Sequence, residues 1–345
     1  MRVLIVGAGL AGYTAAHHLL NSRAEITMID SEKNVSSSVA AGIINPIVFR
    51  RTTLSWRLAE LLEYGYPFYQ NLEQKLNASF FRKIPIRRLF SHEQEREAWE
   101  KKQTQEAYQP YLKVLSHEDL EFPIEQNTFG TGVVLQAATV DSKAFLEANK
   151  RFFEERGMLQ TAVFDYSELD PVKAKYNGKT YDYILFCEGK DGKYNPYFSY
   201  LPLTQTKGEV LTIQLQDLPR DESLNRKCFL MPQPDGTWKT GSNYVWDTDD
   251  STPTEDAKAE ILRNLESITS EKPEIVFHEA GVRPTVDDRR PLLGTHPEFP
   301  KLAIANGLGA KGFMTAPLVI KELIDHLLSD SALHPETTIQ RFSGK

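Results

Sequence analysis

The first dozen residues constrain this chain most. RVLIV at residues 2–6 is a short β-branched run that ends on glycines spaced GxGxxG (Gly7, Gly9 and Gly12) and passes straight into a segment rich in Ala and Leu. This order reads as strand, tight turn, helix. Gly7 permits the turn, Gly9 lets backbone approach a pyrophosphate, and Gly12 lets the helix press on the strand, while the unpaired N–H groups of the helix start face the anion. Ala8, Leu10 and Ala11 fill the same turn and are expected to share the contact. AEITMID then forms a second strand ending on Asp30, eighteen positions after Gly12, where a carboxylate can accept hydrogen bonds from ribose hydroxyls and would repel a 2′-phosphate. With Ser31 beside it, the unit predicts a dinucleotide-binding βαβ start in an α/β chain, α+β overall.

The 345 residues can form one large or two medium domains, and 41% apolar with 25% charged residues is an ordinary globular composition. Two cysteines, Cys187 and Cys228, cannot build a disulfide framework, which fits a reducing compartment. The apolar start is broken by glycines and closed by His17 and His18, so a buried strand, turn and helix is expected rather than a signal peptide; no membrane span and a cytoplasmic location follow. A net charge of −7 gives no electrostatic support for nucleic-acid binding, although a local basic patch stays possible. The eight histidines show no ligand spacing, and no metal is expected.

After Asp30 a nicotinamide-type fold should begin another helix and strand. Residues 31–51 are instead rich in Ser, Ala and Gly and read as a long loop, in which Ser38, Ala40, Ala41 and Gly42 are small enough to pass close to a ligand. Helical spacing covers residues 53–77, 92–109 and, with Asp141 as N-cap and Gly157 as stop, 141–157. YDYILFCEG is a second buried strand running into glycine, and residues 110–137 read as irregular strand. From Lys207 to Val245 the pattern alternates around a PDG turn, predicting an antiparallel sheet. A helix near 255–267, a strand through EIVFHEAGVRP, the strand LAIANGLG and a final amphipathic helix complete the reading, with residues 331–345 expected to be a weakly ordered tail. The elements suggest a discontinuous cofactor domain (1–80, 138–202 and 280–345) and a substrate domain (81–137 and 203–279) built on the antiparallel sheet.

The C-terminal third carries a more specific pattern. Gly281, Arg283 and Pro284 form GxRP, Asp288, Pro291 and Gly294 form DxxPxxG, and Gly307, Gly309 and Gly312 form a second GxGxxG leading into a helix with Pro317. Together with the N-terminal motif and AAGIINP, this resembles the D-amino-acid oxidase and glycine oxidase superfamily of flavoproteins. GLGAKGFMTAP and NPIVFRR look most like the FAD domain of the bifunctional tRNA wobble-uridine modification enzyme. The resemblance implies non-covalent FAD, a Rossmann-like FAD-binding domain and a small amine or amino-acid substrate oxidised at a C–N bond. A flavin-dependent tRNA-modification oxidoreductase, a non-catalytic redox-sensing flavoprotein and an NAD-dependent dehydrogenase stay open as alternatives.

Flavin chemistry sets the remaining expectations. A reduced flavin carries negative charge around N1 and C2=O, and the 307–312 turn, with Gly307, Gly309, Ala310 and Gly312, can aim backbone N–H groups there, Lys311 adding a positive charge. By resemblance, Cys187 and Gly189 lie near the adenosine, and Arg283 binds a substrate carboxylate or sits by the flavin. Tyr244, on the strand after the PDG turn, either lines the substrate face or packs within the sheet.

Overall fold

The computed structural model describes residues 1–33, 36–115, 127–216 and 218–342. Its first layer is a sheet of six strands in the order 159–161, 25–30, 2–6, 183–186, 302–306 and 292–295. The first five run parallel, and Leu292–Thr295 closes the edge antiparallel to Leu302–Asn306. Both faces of this sheet are covered, which explains why RVLIV is apolar throughout rather than alternating. Val3 and Ile5 pack into a core with the helices, whereas Leu4 and Val6 pack against Phe164, Tyr176 and Phe198 on the other side.

Seven helices are described in chain order: α1 (Leu10–Asn21), α2 (Ser36–Val39), α3 (Leu58–Leu76), α4 (Glu93–Gln103), α5 (Ser142–Glu154), α6 (Glu255–Leu265) and α7 (Gly312–Ser329). Helix α7 packs on α1 and α3. Asp141 caps α5 as its position implied, accepting from the amides of Lys143 and Ala144, both at 3.1 Å. His92 caps α4 through its ring nitrogen.

The second layer is a sheet of nine strands dominated by two long ones, Leu203–Gln214 and Glu274–Val286, paired antiparallel along their whole length. The expected antiparallel character holds except where Ser223–Asn225 runs parallel to Ile86–Leu89. Leu211, Ile213, Leu230 and Trp238 point to one face and pack against Ile261 and Leu265 of α6, leaving the other face for the cavity described below. Strand Glu274–Val286 continues without a break through residue 280, so the first residues assigned from the sequence to the cofactor domain are part of this sheet.

Two local expectations need correction. Residues 31–51 are not loop throughout: they hold α2 and the short strands Ile43–Ile44 and Ile47–Val48, the first pairing with Ala138–Val140. Residues 331–342 are not a loose tail. Thr338 bridges Leu293, Ile339 is buried beside Gly294, and Arg341 pairs with Asp288 at 2.9 Å. The missing side chain of Gly294 makes the space that Ile339 fills. Of the expected irregular stretch 110–137, Leu112–Leu115 and Thr131–Val134 are strands, and residues 116–126 lie outside the described residues.

Candidate active site

The N-terminal turn has the tight geometry its glycines foretold. Gly7 has φ +102°, and a Cβ there would overlap the Cys187 carbonyl oxygen; a Cβ on Gly12 would overlap the carbonyl oxygen of Gly7. Helix α1 therefore starts pressed onto the turn, with Gly9 as an N-cap lacking any side-chain cap and with no acidic residue in its first turn. Leu10 N donates to the Ser37 hydroxyl at 3.2 Å. Asp30 also braces this turn, its carboxylate accepting from Ala8 N at 2.5 Å and Glu32 N at 2.6 Å.

These residues open onto a cavity of about 480 Å³ between the two sheets. One end is walled by Asp30, Ser31 and residues 162–164; the middle by Gly7, Gly9, Leu10 and Ala11; the far end by Ala40, Ala41, Gly42 and Ile43 with the inner face of the nine-stranded sheet. Gly309, Ala310 and Gly312 bring in the C-terminal turn, where Gly307 and Gly309 take φ of +70° and +56°. Asn306 joins the two inner glycine turns: its Oδ1 accepts from Gly307 N at 2.8 Å and its Nδ2 donates to Gly189 O at 2.9 Å.

Arg283 stands at the far end. It leaves Glu274–Val286 opposite Thr206, and its guanidinium lies across the backbone of Gly208, where no side chain obstructs it. Nη2 donates to the Ser242 hydroxyl at 3.1 Å, and the Tyr244 ring centre is 4.9 Å from Cζ. Nη1 is buried and has no hydrogen-bond partner among the described residues. Burial lowers the guanidinium pKa, yet an arginine keeps its proton under all ordinary conditions. The cavity thus ends in a fixed, partly unsatisfied cation that suits a planar anion.

The uncapped helix start, the glycine cradle and this orphaned donor together fit a dinucleotide in the cavity with an anionic small molecule beyond it. Comparison with known proteins decides its kind: the family model described as FAD dependent oxidoreductase, DAO, matches residues 2–326. The chain belongs to this family of FAD-dependent oxidoreductases. It is 24% identical over 360 residues to a glycine oxidase of Pseudomonas aeruginosa, covering 94% of each chain. It is 21% identical over 353 residues to an uncharacterised oxidoreductase, YurR, of Bacillus subtilis, covering 93% of each. In fold it is similar to the crystal structure of glycine oxidase from Geobacillus kaustophilus, with a TM-score of 0.82 at 19% identity over 97% of this chain and 98% of that one. The cofactor is FAD.

Most positions expected to meet FAD do line the cavity, including Cys187 and Gly189. Ala8, Gly12, Ser38, Gly307 and Lys311 do not. Ala8 and Gly12 act behind the turn, Gly307 packs against Val286 and Leu292, and the Ser38 carbonyl accepts from the Ser142 hydroxyl at 2.9 Å. Lys311 turns toward the residues after Asn45, where its ammonium donates to Asn45 O at 3.3 Å and to the Ser55 hydroxyl. Burial brings its pKa down to about 8. Tyr244 is not on the strand assigned to it: Trp238–Gly241 ends before it, and the ring, 56% exposed, stands at the cavity mouth. Burial pushes the Cys187 thiol far up, which removes a nucleophilic role.

Glu188, Gly208 and Ser242 escaped the sequence reading. Glu188 lines the cavity beside Cys187; it accepts from the Tyr166 hydroxyl and from Asn195 Nδ2 at 2.7 Å, and burial raises its carboxyl to about 7. Gly208 did carry a signal, because a lone glycine inside an otherwise regular strand marks close approach by another group. Ser242 and Glu188 carried none, since both depend on where distant strands meet.

Proposed function

We propose that this FAD-dependent oxidoreductase oxidises the C–N bond of an amine or amino acid bearing a carboxylate, giving an imine that water hydrolyses. The observation that carries this reading is the buried Nη1 of Arg283 at the end of the cavity, which has no hydrogen-bond partner among the described residues. FAD, when bound, supplies a hydride acceptor at N5. Arg283 takes the carboxylate, Ser242 and Tyr244 fix the plane of its guanidinium, and the substrate is held with its nitrogen-bearing carbon toward the cofactor. Gly9, Leu10 and the start of α1 hold the pyrophosphate, and Gly309, Ala310 and Gly312 supply backbone donors at the other end of the cofactor. The nine-stranded sheet then serves as the substrate domain and the six-stranded sheet as the FAD domain. Glycine oxidase, as a relative over nearly the full length, supports a small amino-acid substrate.

Anaerobic titration of the FAD-loaded protein with glycine, sarcosine and D-amino acids tests the reading. Bleaching of the flavin absorbance by at least one carboxylate-bearing amine, with no bleaching by its decarboxylated counterpart, is the expected result. An unbleached flavin across the whole panel overturns it.

A further inference from the structure

Ser242 and Tyr244, the two groups that hold the Arg283 guanidinium, belong to a segment with little regular structure of its own. Between the end of Trp238–Gly241 and the start of α6, residues 242–254 include only the two-residue strand Val245–Trp246, which pairs with Thr206 and Lys207. Since Ser242 and Tyr244 both line the cavity, whatever fixes the path of this strap also fixes the groups around the guanidinium.

The fixings lie on the other side of the sheet. Along Leu203–Gln214, Gly208 and Val210 line the cavity while Leu211 and Ile213 pack on α6, so side-chain alternation puts Lys207 and Glu209 on the α6 face. Glu209 is fully buried; its carboxylate accepts from Thr254 N at 2.8 Å and from the Thr254 hydroxyl at 2.9 Å, with His278 Nε2 2.9 Å away. Lys207, also buried, reaches Glu209 at 3.3 Å and Asp250 at 3.5 Å and donates to Thr252 O. The near end of the strap is tied to the same strand. The buried Asn243 side chain accepts from Glu209 N at 2.8 Å, and a Cβ on Gly241 would stand 2.8 Å from Glu209 O. Glu209 thus meets the strap at both ends, by main chain at Asn243 and by side chain at Thr254.

We propose that Asn243, Glu209 and Lys207 are positioning residues for the oxidation: from behind the sheet they fix the strap so that Ser242 and Tyr244 hold the Arg283 guanidinium in the plane that receives the substrate carboxylate. None of the three lines the cavity, so their effect reaches the substrate through Ser242 and Tyr244. Burying Glu209 and Lys207 adds little stability, because lost hydration offsets most of their attraction and an apolar pair of like volume does as well. What the pair supplies is one path for the chain, with the carboxylate committed to Thr254 and the ammonium to Thr252 and Asp250. The inference rests on the reading of Arg283 as a carboxylate seat and adds the residues that set it.

Binding and kinetics test this role apart from stability. Butyrate and benzoate are titrated into the FAD-loaded protein and followed by perturbation of the flavin spectrum, and KM and kcat are measured with a carboxylate-bearing amine that bleaches the flavin. Asn243→Ala should weaken carboxylate binding and raise KM by about tenfold, with a smaller fall in kcat and the FAD content unchanged. Lys207→Met combined with Glu209→Leu, which removes both charges together, should do the same at an unchanged or higher Tm. Lys207→Met combined with Glu209→Gln keeps an acceptor for Thr254 and should restore most of the affinity. Parent-like binding in the first two variants, affinity that falls only in step with Tm or FAD content, or no restoration by Glu209→Gln would each overturn the role. Arg283→Met separates the two readings: if it leaves carboxylate binding untouched, the seat is wrong and the positioning role falls with it; if it abolishes binding while the strap variants bind like the parent, only the positioning role is wrong.

Discussion

The Arg283 guanidinium occupies the space a Gly208 side chain would need: a Cβ built on that glycine overlaps Cζ and both terminal nitrogens. Gly208→Ala should therefore displace the guanidinium while leaving the strand paired. The expected outcome is a KM for a carboxylate substrate raised by about tenfold or more with a smaller fall in kcat, since the loss is in ground-state positioning. Steady-state kinetics with flavin content measured in parallel checks it; unchanged KM would show that the guanidinium need not lie where it does.

Arg283→Met removes the cation itself. kcat/KM for the substrate should fall by about two orders of magnitude, the scale of a bidentate charge-assisted contact, while FAD stays bound. Because Nη1 has no hydrogen-bond partner among the described residues, Tm should hold or rise rather than fall, and differential scanning calorimetry reads that sign.

Gly12→Ala strikes the cofactor instead. Its Cβ would overlap the Gly7 carbonyl oxygen, so α1 must move off the turn that presents Gly9 and Leu10. Loss of flavin absorbance after purification, with stability lowered by about 2 kcal/mol or more in urea, is the expected pair of results.

Glu188 gives the protein a pH signature. Its carboxyl, near 4.5 when unfolded, is raised to about 7 by burial, so between these values the folded chain holds a proton that the unfolded chain has lost. Stability from this group is full below 4.5 and falls as pH rises toward 7. Glu188→Gln should flatten that slope in urea titrations across the window. FAD affinity of the parent should also weaken above pH 7, when a carboxylate flanked by Tyr166, Asn195 and Asp191 faces a cavity receiving a diphosphate.

Lys311 acts with the opposite sign. Burial lowers it from 10.5 to about 8, so the unfolded chain binds the extra proton between those values and stability climbs as pH rises through the window. Lys311→Met should remove the climb, measured as Tm against pH, and loosen the link to Ser55.

Where backbone geometry alone demands a residue, the sequence was readable. Gly7, Gly12, Gly307 and Gly309 sit where a side chain or a negative φ is excluded, and the cap at Asp141 is a local rule satisfied within three residues. Contacts made by distant segments were not readable. The direction of the Lys311 chain depends on Asn45 and Ser55, more than 250 positions away, and the order of residues 331–342 depends on Ile339 finding the gap at Gly294. Arg283 was recognisable from its motif, but the ring of Gly208, Ser242 and Tyr244 around it arises from the pairing of three strands.

Gly281, two residues before Arg283 on the same strand, comes so near α2 that a Cβ there would stand 3.2 Å from Val39 Cβ, and the Ser36 hydroxyl donates to Val282 O in the same place. The absent side chain of Gly281 thus lets α2 seat its Ser36 and Val39 directly on the backbone of the strand that carries Arg283. Exchanging Val210 or Phe229 would reshape the cavity wall without moving the strand that carries Arg283.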